Sequence, residues 1–246
     1  GLAATQYGGD KGIFAYGSAG SMSNLVSNSG VIATDVTGVG TARESPAACS
    51  FGGNAGGDKG IFAFGVNAAG SKVGLSNLVS NSGVVASDVS AVGTARAGPG
   101  ACEYGDDKGI FAYGNTGSYI DESNLVSNVG VIASDVTGVG TDRDFPGACS
   151  YGGDKGIFAY GSTGSVVSMS NLVNNSGVIA SDVTGVGTAR EELSACEYGK
   201  DKAIFGYGYS SDRVSLSNLV NNSGVIASDV TGVGTARNVL AACSYN

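Results

Sequence analysis

The stretch DKGIFAYG at residues 154–161 is followed by SNLV at 170–173 and by GTAR at 187–190. These three phrases, with small variations, occur five times along the chain of 246 residues. The closing arginine recurs first after 53 and then after every 47 residues, at Arg43, Arg96, Arg143, Arg190 and Arg237. A fixed period of this size indicates repeats of one supersecondary unit. We therefore expect residues 1–246 to form a single domain made of five repeats of about 47 residues.

One repeat contains four short runs with the character of β-strands. In the copy between Arg143 and Arg190 these runs span 145–151, 155–160, 166–173 and 178–183. Glycine and asparagine turn signals separate them, and no segment keeps a helical period. Four strands and four turns of this length match one propeller blade. The sequence predicts an all-β fold, a five-bladed β-propeller of four-stranded antiparallel blades. A linear β-solenoid is the structural alternative.

The first run of the repeat occurs six times, whereas the other runs occur five times. Residues 1–7 (GLAATQY) match residues 239–245 (VLAACSY). Either one terminal copy is redundant or the chain is cut from a longer array, and the sequence does not say which copy closes a ring. Because this run is rich in small residues, we expect it to be the innermost strand. It also carries one cysteine per copy, predicted to be a buried free thiol: Cys49, Cys102, Cys149, Cys196 and Cys243.

The order of these motifs resembles a kelch repeat. The residues that carry the resemblance are Arg143, the pair Ala148-Cys149, the pair Gly152-Gly153 and the run 157–161 (IFAYG). The resemblance covers the whole chain but is degenerate, since the kelch tryptophan is missing and a single glycine follows the second strand. It is more loosely similar to repeats of predicted phage and marine bacterial proteins. Kelch-like propellers are mostly binding scaffolds, and the copper oxidases among them depend on histidine ligands that this chain lacks.

Composition argues against catalysis. The chain has no histidine, which removes the usual general base near neutral pH and the commonest metal ligand. No nucleophile–base motif stands out, so we predict a protein that is not an enzyme, with no catalytic residues, no cofactor and no metal site. No apolar run approaches the roughly 20 residues that a membrane span needs. With a net charge of −8, the chain lacks the basic footprint of a nucleic-acid partner.

The charges divide into invariant and variable positions. The lysine and arginine of each copy cancel its two repeated aspartates, such as Asp154 and Asp182, and we interpret these invariant groups as structural: turn caps and ion pairs between strands. The excess negative charge therefore lies at positions that differ between copies. Most of it falls in the loops between the second and third runs and between the fourth run and the next repeat. In an up-and-down blade those loops emerge on one face.

We predict that this face binds a protein or glycan partner, because loops on a rigid scaffold commonly carry function. The alternative is a structural component of a larger assembly such as a virion or surface fibre, and an oligomer is compatible with either. The compartment stays open, with an extracellular or virion-associated location favoured. The candidate binding residues are Tyr119, Asp121, Glu122, Asp142, Asp144, Phe145, Glu191, Glu192, Tyr209, Asp212 and Arg213.

Overall fold

A computed structural model of the chain describes residues 1–17, 20–53, 58–90 and 92–244. These residues form β-strands and no helix. In chain order the strands are β1 (Ala3–Tyr7), β2 (Lys11–Ala15), β3 (Ser23–Val26), β4 (Arg43–Glu44), β5 (Ala47–Phe51), β6 (Lys59–Ala63), β7 (Val66–Asn67), β8 (Ser76–Val79), β9 (Gly100–Tyr104), β10 (Lys108–Asn115), β11 (Tyr119–Val126), β12 (Gly147–Tyr151), β13 (Lys155–Ala159), β14 (Ser170–Val173), β15 (Ser194–Tyr198), β16 (Lys202–Gly206) and β17 (Ser217–Val220).

The strands form five small antiparallel sheets, one from each repeat. Their orders are β1-β2-β3, β5-β6-β8, β9-β10-β11, β12-β13-β14 and β15-β16-β17, and we call them the first to fifth sheets. The short strands β4 and β7 form an additional two-stranded pair. The all-β prediction is confirmed. Each sheet pairs its first, second and third runs in sequence order, as expected for strands joined by short turns.

The register is the same in every copy and explains why the central motif is so constant. In the fourth sheet, Ile157 lies opposite Cys149 on one side and Leu172 on the other, while Phe158 lies opposite Asn171. Successive side chains of a strand point to opposite faces. The isoleucine and the phenylalanine therefore pack on the two different neighbours of their sheet, which makes both faces apolar.

The fourth run does not become a regular strand, so the prediction of four-stranded blades holds for only three strands. It touches β14 through two isolated bridges, Ser170 to Val183 and Val173 to Ile179, and the pairing shifts by one residue between them. The side chain of Asn171 fills the space, because its Nδ2 donates to the carbonyl of Ala180 at 3.0 Å. A side-chain amide thus replaces part of the backbone ladder.

Consecutive sheets pack face to face through aromatic residues. Phe158 of the fourth sheet inserts beside Tyr113 of the third, with ring centroids 5.4 Å apart in an edge-on arrangement. Both side chains are fully buried, and such pairs add to the stability that burial provides. The same contact joins the other consecutive sheets through Tyr16–Phe62, Phe64–Phe111 and Tyr160–Phe205.

The first runs line one shared cavity of about 60 Å³, which we call the central cavity. Six segments line it, because both terminal copies take part: residues 4–6, 48–50, 102–103, 148–150, 195–197 and 242–244. The Ser244 hydroxyl donates to Oε1 of Gln6 at 3.3 Å, so the last segment adjoins the first. Five of the six segments continue into sheets. The sixth, which we call the inner segment 239–244, forms no strand, and Tyr245 lies outside the described residues.

In the part of the chain that the structure describes, no helix is long and apolar enough to cross a membrane.

Candidate functional site

The loops predicted to share a face lie together at one end of the central cavity. We call this end of the molecule the loop end. In the second to fifth sheets, the loop before the first strand pairs with the loop after the second strand of the same sheet. In the fourth sheet, for example, Asp144 exchanges backbone hydrogen bonds of 3.0 and 2.9 Å with Ser162. Neighbouring loops are also bonded to each other around the cavity. The amide of Phe145 donates to the carbonyl of Gly98 at 2.8 Å, and the amide of Gly98 donates to the carbonyl of Ser45 at 3.2 Å.

The centre of the loop end is an apolar depression of about 110 Å³. One equivalent residue of each copy contributes to it: Leu2, Pro46, Pro99, Pro146, Leu193 and Leu240. Phe145 and Glu192 also line it. Both have a positive φ, 49° and 53°, which is uncommon for residues other than glycine. The Phe145 ring lies over Gly98, where an added Cβ would approach it to 2.9 Å, so only glycine fits beneath the ring.

Three of the predicted acidic residues gather beside this depression. Asp144 is buried, and its Oδ2 accepts a hydrogen bond of 3.4 Å from Nδ2 of Asn115. Burial, with the nearby Glu191 carboxylate, raises the pKa of Asp144 to about 6. Burial and the adjacent Glu192 likewise raise the pKa of Glu191. The site thus holds carboxylates in a partly desolvated cluster that gains from a cationic partner.

A second acidic group lies on the third sheet. Asp121 and Glu122 belong to β11, which begins at Tyr119. Burial and the charge of Asp142 raise the pKa of Asp121. One Glu122 carboxylate oxygen is buried without a hydrogen-bond partner. These residues are therefore near one another, but none of them lines the apolar depression.

The remaining predicted residues lie at the edge of the loop end. Tyr209 is exposed, and its backbone pairs with Glu191 at 2.8 and 2.9 Å. Arg213 is exposed like Asp212, and its Nε donates to Oδ1 of Asn238 at 3.1 Å. Asn238 in turn donates to Glu192 at 2.6 Å, which links Arg213 to the acidic cluster through an amide. The sequence analysis missed Asn238, Asn115 and the ring of prolines and leucines.

The opposite end of the cavity carries two carboxylates that the sequence analysis did not select. Glu103 and Glu197 directly follow the cysteines of their strands, where other copies have serine or glutamine. Ser50 donates to Glu103 at 2.6 Å and Ser150 donates to Glu197 at 3.0 Å. Burial, reinforced by Glu197, raises the pKa of Glu103 to about 7. Because successive residues of a strand point to opposite faces, the alternation along the first strand could have indicated from the sequence that Glu103 and Glu197 face the cavity.

Most of the invariant charges are paired within the fold: four of the repeated arginines, Arg43, Arg96, Arg143 and Arg190, are buried, whereas the lysine–aspartate pairs, such as Lys155 with Asp154 at 3.0 Å, are partly exposed. Arg143 is fully buried: its guanidinium stacks 3.9 Å from the Tyr113 ring centroid, and Nη2 donates to Oδ1 of Asn171 at 2.6 Å. Asp182 accepts from the Thr141 hydroxyl at 2.7 Å and from Asn171 at 2.9 Å. Although burial acts against it, these bonds hold the pKa of Asp182 below its usual range. The network joins consecutive sheets.

The five cysteines are free thiols, as predicted. The prediction of burial holds for Cys49, Cys102 and Cys149, whereas Cys196 and Cys243 are only half-buried. Burial raises the pKa of each, which makes them poor nucleophiles and metal ligands. The described residues contain no group of three or more histidine, cysteine, aspartate or glutamate side chains placed to hold a metal ion. Comparison with protein-family models and with curated proteins gives no match, so the functional argument depends on the geometry of this chain.

Proposed function

We propose that the chain is a non-catalytic binding module with a kelch-like β-propeller architecture. Two features support a radial arrangement of the sheets: six first-run segments line one cavity, and backbone hydrogen bonds link neighbouring turns at both ends. At the end opposite the loop end, the amides of Gly8, Gly52, Gly105 and Gly152 each donate to the aspartate carbonyl of the next copy at 2.7–2.8 Å. In this proposal the five sheets are blades, and the inner segment 239–244 marks a sixth position.

The binding surface that we propose is the loop end. The observation that carries this proposal is the cluster of Asp144, Glu191 and Glu192 beside an apolar depression lined by Phe145 and Leu193. An apolar centre with a charged rim is the common anatomy of a protein-binding patch. The carboxylates favour a protein segment in which lysine or arginine flanks an apolar side chain. A glycan ligand would use the same carboxylates and the exposed Tyr209.

The test is to probe peptide arrays and glycan arrays with the wild-type chain and with a variant carrying Asp142→Asn, Asp144→Asn, Glu191→Gln and Glu192→Gln. We expect salt-sensitive binding to basic, apolar peptides that the variant loses. Asp106→Asn, which removes an exposed charge at the opposite end, is the matched control and should leave binding unchanged. Unchanged binding by the fourfold variant would refute the loop-end proposal, and binding confined to glycans would replace the protein ligand.

A specific observation supports a structural component of an assembly as the second candidate. Each copy exposes a valine of its fourth run by about 60%, namely Val31 (64%), Val84 (64%), Val131 (62%), Val178 (59%) and Val225 (61%). Repeated exposed apolar residues are typical of association surfaces. Native mass spectrometry of the wild-type chain and of a variant with serine at these five positions tests this candidate. Assembly of the wild type that the variant loses would support it; a monomeric wild type would not.

A further inference from the structure

The inner segment 239–244 lacks the sheet that accompanies each of the other five first-run segments around the central cavity. Cys243 packs against β2 of the first sheet, where a Cβ added to Gly12 would lie 2.8 Å from the Cys243 Sγ. In the complete copies the corresponding cysteine packs in the same way against the following sheet, as Cys102 does at Gly156. The inner segment therefore occupies the position of a first strand, but within the described part of the chain no second strand pairs with it. We call the space beside it, between the fifth and first sheets, the end gap.

One wall of the end gap is the outer face of the fifth sheet. Tyr198 is 37% exposed, whereas its counterparts Tyr104 and Tyr151 are 3% exposed. Leu219 is 40% exposed, and Ile204 is half-buried where Ile157 is fully buried. These side chains have the apolar chemistry of the buried interfaces but are partly exposed.

The opposite wall is the face of the first sheet. Phe14 is half-buried, whereas the four equivalent phenylalanines are fully buried. A cavity of about 410 Å³ lies between the first repeat and the start of the inner segment, lined by Gly1, Leu2, Tyr16, Gly17, Gly20, Met22 and Val239. The two walls thus present the two complementary faces that one further sheet of this repeat would cover.

The polar groups of the end gap are also left half-paired. Arg237 stacks on Tyr207 at 4.2 Å, as each of its counterparts stacks on a tyrosine or phenylalanine ring. Arg237 is nevertheless exposed, and within the described residues no asparagine accepts a hydrogen bond from it. Across the gap, Asn24 donates to Asp35 at 2.8 Å. Within the described ranges no arginine donates to Oδ1 of Asn24, whereas Asn171 accepts there from Arg143. Likewise, among the residues that the structure describes, the amide of Gly199 has no counterpart of the bond that Gly152 makes to the Asp201 carbonyl.

We propose that the end gap is a binding site for a polypeptide segment that carries the second and third strands and the fourth run of this repeat. The inner segment would pair with its second strand, in the manner of strand addition to an exposed edge. Its asparagine would accept from Arg237, its own arginine would donate to Asn24, and its phenylalanine would pack beside Tyr207. The proposal is independent of any ligand at the loop end.

The probe is a synthetic peptide of residues 154–190, which contains every one of these groups. Titrating a fluorophore-labelled peptide with the full chain should give saturable binding at one peptide per chain. Arg237→Ala in the chain should weaken binding by about thirtyfold or more, since it removes one partner of a desolvated, hydrogen-bonded charge. Asn171→Ala in the peptide should have a similar effect, and the two changes together should cost little more than either alone.

Lys59→Ala is the control in the chain, because it removes a partly exposed cation on the second sheet, away from the gap. A second measurement is protection: bound peptide should slow the reaction of the half-buried Cys196 with a thiol reagent. Absence of binding by the wild-type chain would overturn the proposal, as would equal binding by the Arg237→Ala variant. Concentration-dependent dimers that the peptide fails to disrupt would also overturn it, because a second copy would then fill the gap.

Discussion

The two arginines Arg143 and Arg237 end the same GTxR phrase, yet the structure predicts very different consequences for their removal. Arg143 is fully buried between the third and fourth sheets, stacked on Tyr113 and bonded to Asn171. Arg237 is exposed, and among the described residues its guanidinium keeps only the stack on Tyr207. Comparing variants of the two arginines therefore separates the stability that the inter-sheet network contributes from any effect of the GTxR phrase itself.

We expect Arg143→Ala to lower the free energy of unfolding by about 3–5 kcal/mol, because it leaves a buried acceptor unpaired and opens a cavity beside the ring that it stacks on. The acceptor Oδ1 of Asn171 would be left without its donor, and the Tyr113 ring would border a cavity. Arg237→Ala loses only an exposed cation–π contact, so we expect about 0.5–1 kcal/mol. Arg143→Lys keeps the charge but loses the planar stack, so its effect should lie between the two.

The assay is urea unfolding followed by both circular dichroism and tyrosine fluorescence. Repeat arrays can unfold in parts, so the transitions seen by the two probes must coincide before the midpoints are converted to free energies. Equal losses for the two alanine variants would refute the reasoning, because they would mean that burial and the asparagine bond contribute nothing beyond stacking.

Three further predictions concern groups buried to different extents. The pKa of Glu103 is raised from 4.5 to about 7 in the folded state, so the protonated side chain contributes stability at low pH, and this contribution, at most about 3 kcal/mol, is lost as the pH rises from about 4.5 through about 7. Glu103→Gln should remove that part of the pH dependence of the urea midpoint. An unaltered pH dependence would contradict the argument from burial. Cys196 and Cys243 should react with a thiol reagent under native conditions well before Cys49, Cys102 and Cys149, which are buried, as mass spectrometry of the labelled peptides would show; labelling of all five at one rate would exclude this packing. Phe158→Ala should cost about 3–5 kcal/mol and Phe14→Ala distinctly less, since only Phe158 is fully buried; comparable losses in the urea assay would indicate that the end gap is closed in solution.

The strands and turns were predictable because they depend on local sequence. The turn at Asn174–Gly177, with Gly177 at a φ of 79° and its amide bonded to the Asn174 carbonyl at 3.0 Å, is where its composition places it. The fourth run was mispredicted because a side chain overrides its pattern: Asn171 spans to Ala180 and Asp182 and takes up bonds that a regular ladder would use.

The partners of the invariant residues were not predictable from one sequence. Arg143, Tyr113 and Asn171 come from three separate segments of the chain, and only the packing of sheets brings them together. The candidate site divides for the same reason. Alternation of strand directions correctly places the loops at one end, but it does not indicate which carboxylates become buried, so Asp144 and Asp212 were treated alike although one is buried and the other exposed.

The end gap bears on any measurement of ligand binding at the loop end. Glu192 accepts from Asn238, and Asn238 accepts from Arg213, so the acidic cluster is bonded directly to the loops that border the gap. A segment seated in the gap would place a further loop beside Val239, whose amide already donates to the Glu192 carbonyl at 3.0 Å. Filling the gap would therefore complete the rim of the apolar depression. Ligand binding should be measured with and without peptide 154–190, because an affinity that rises with the peptide would show that the two sites are thermodynamically coupled.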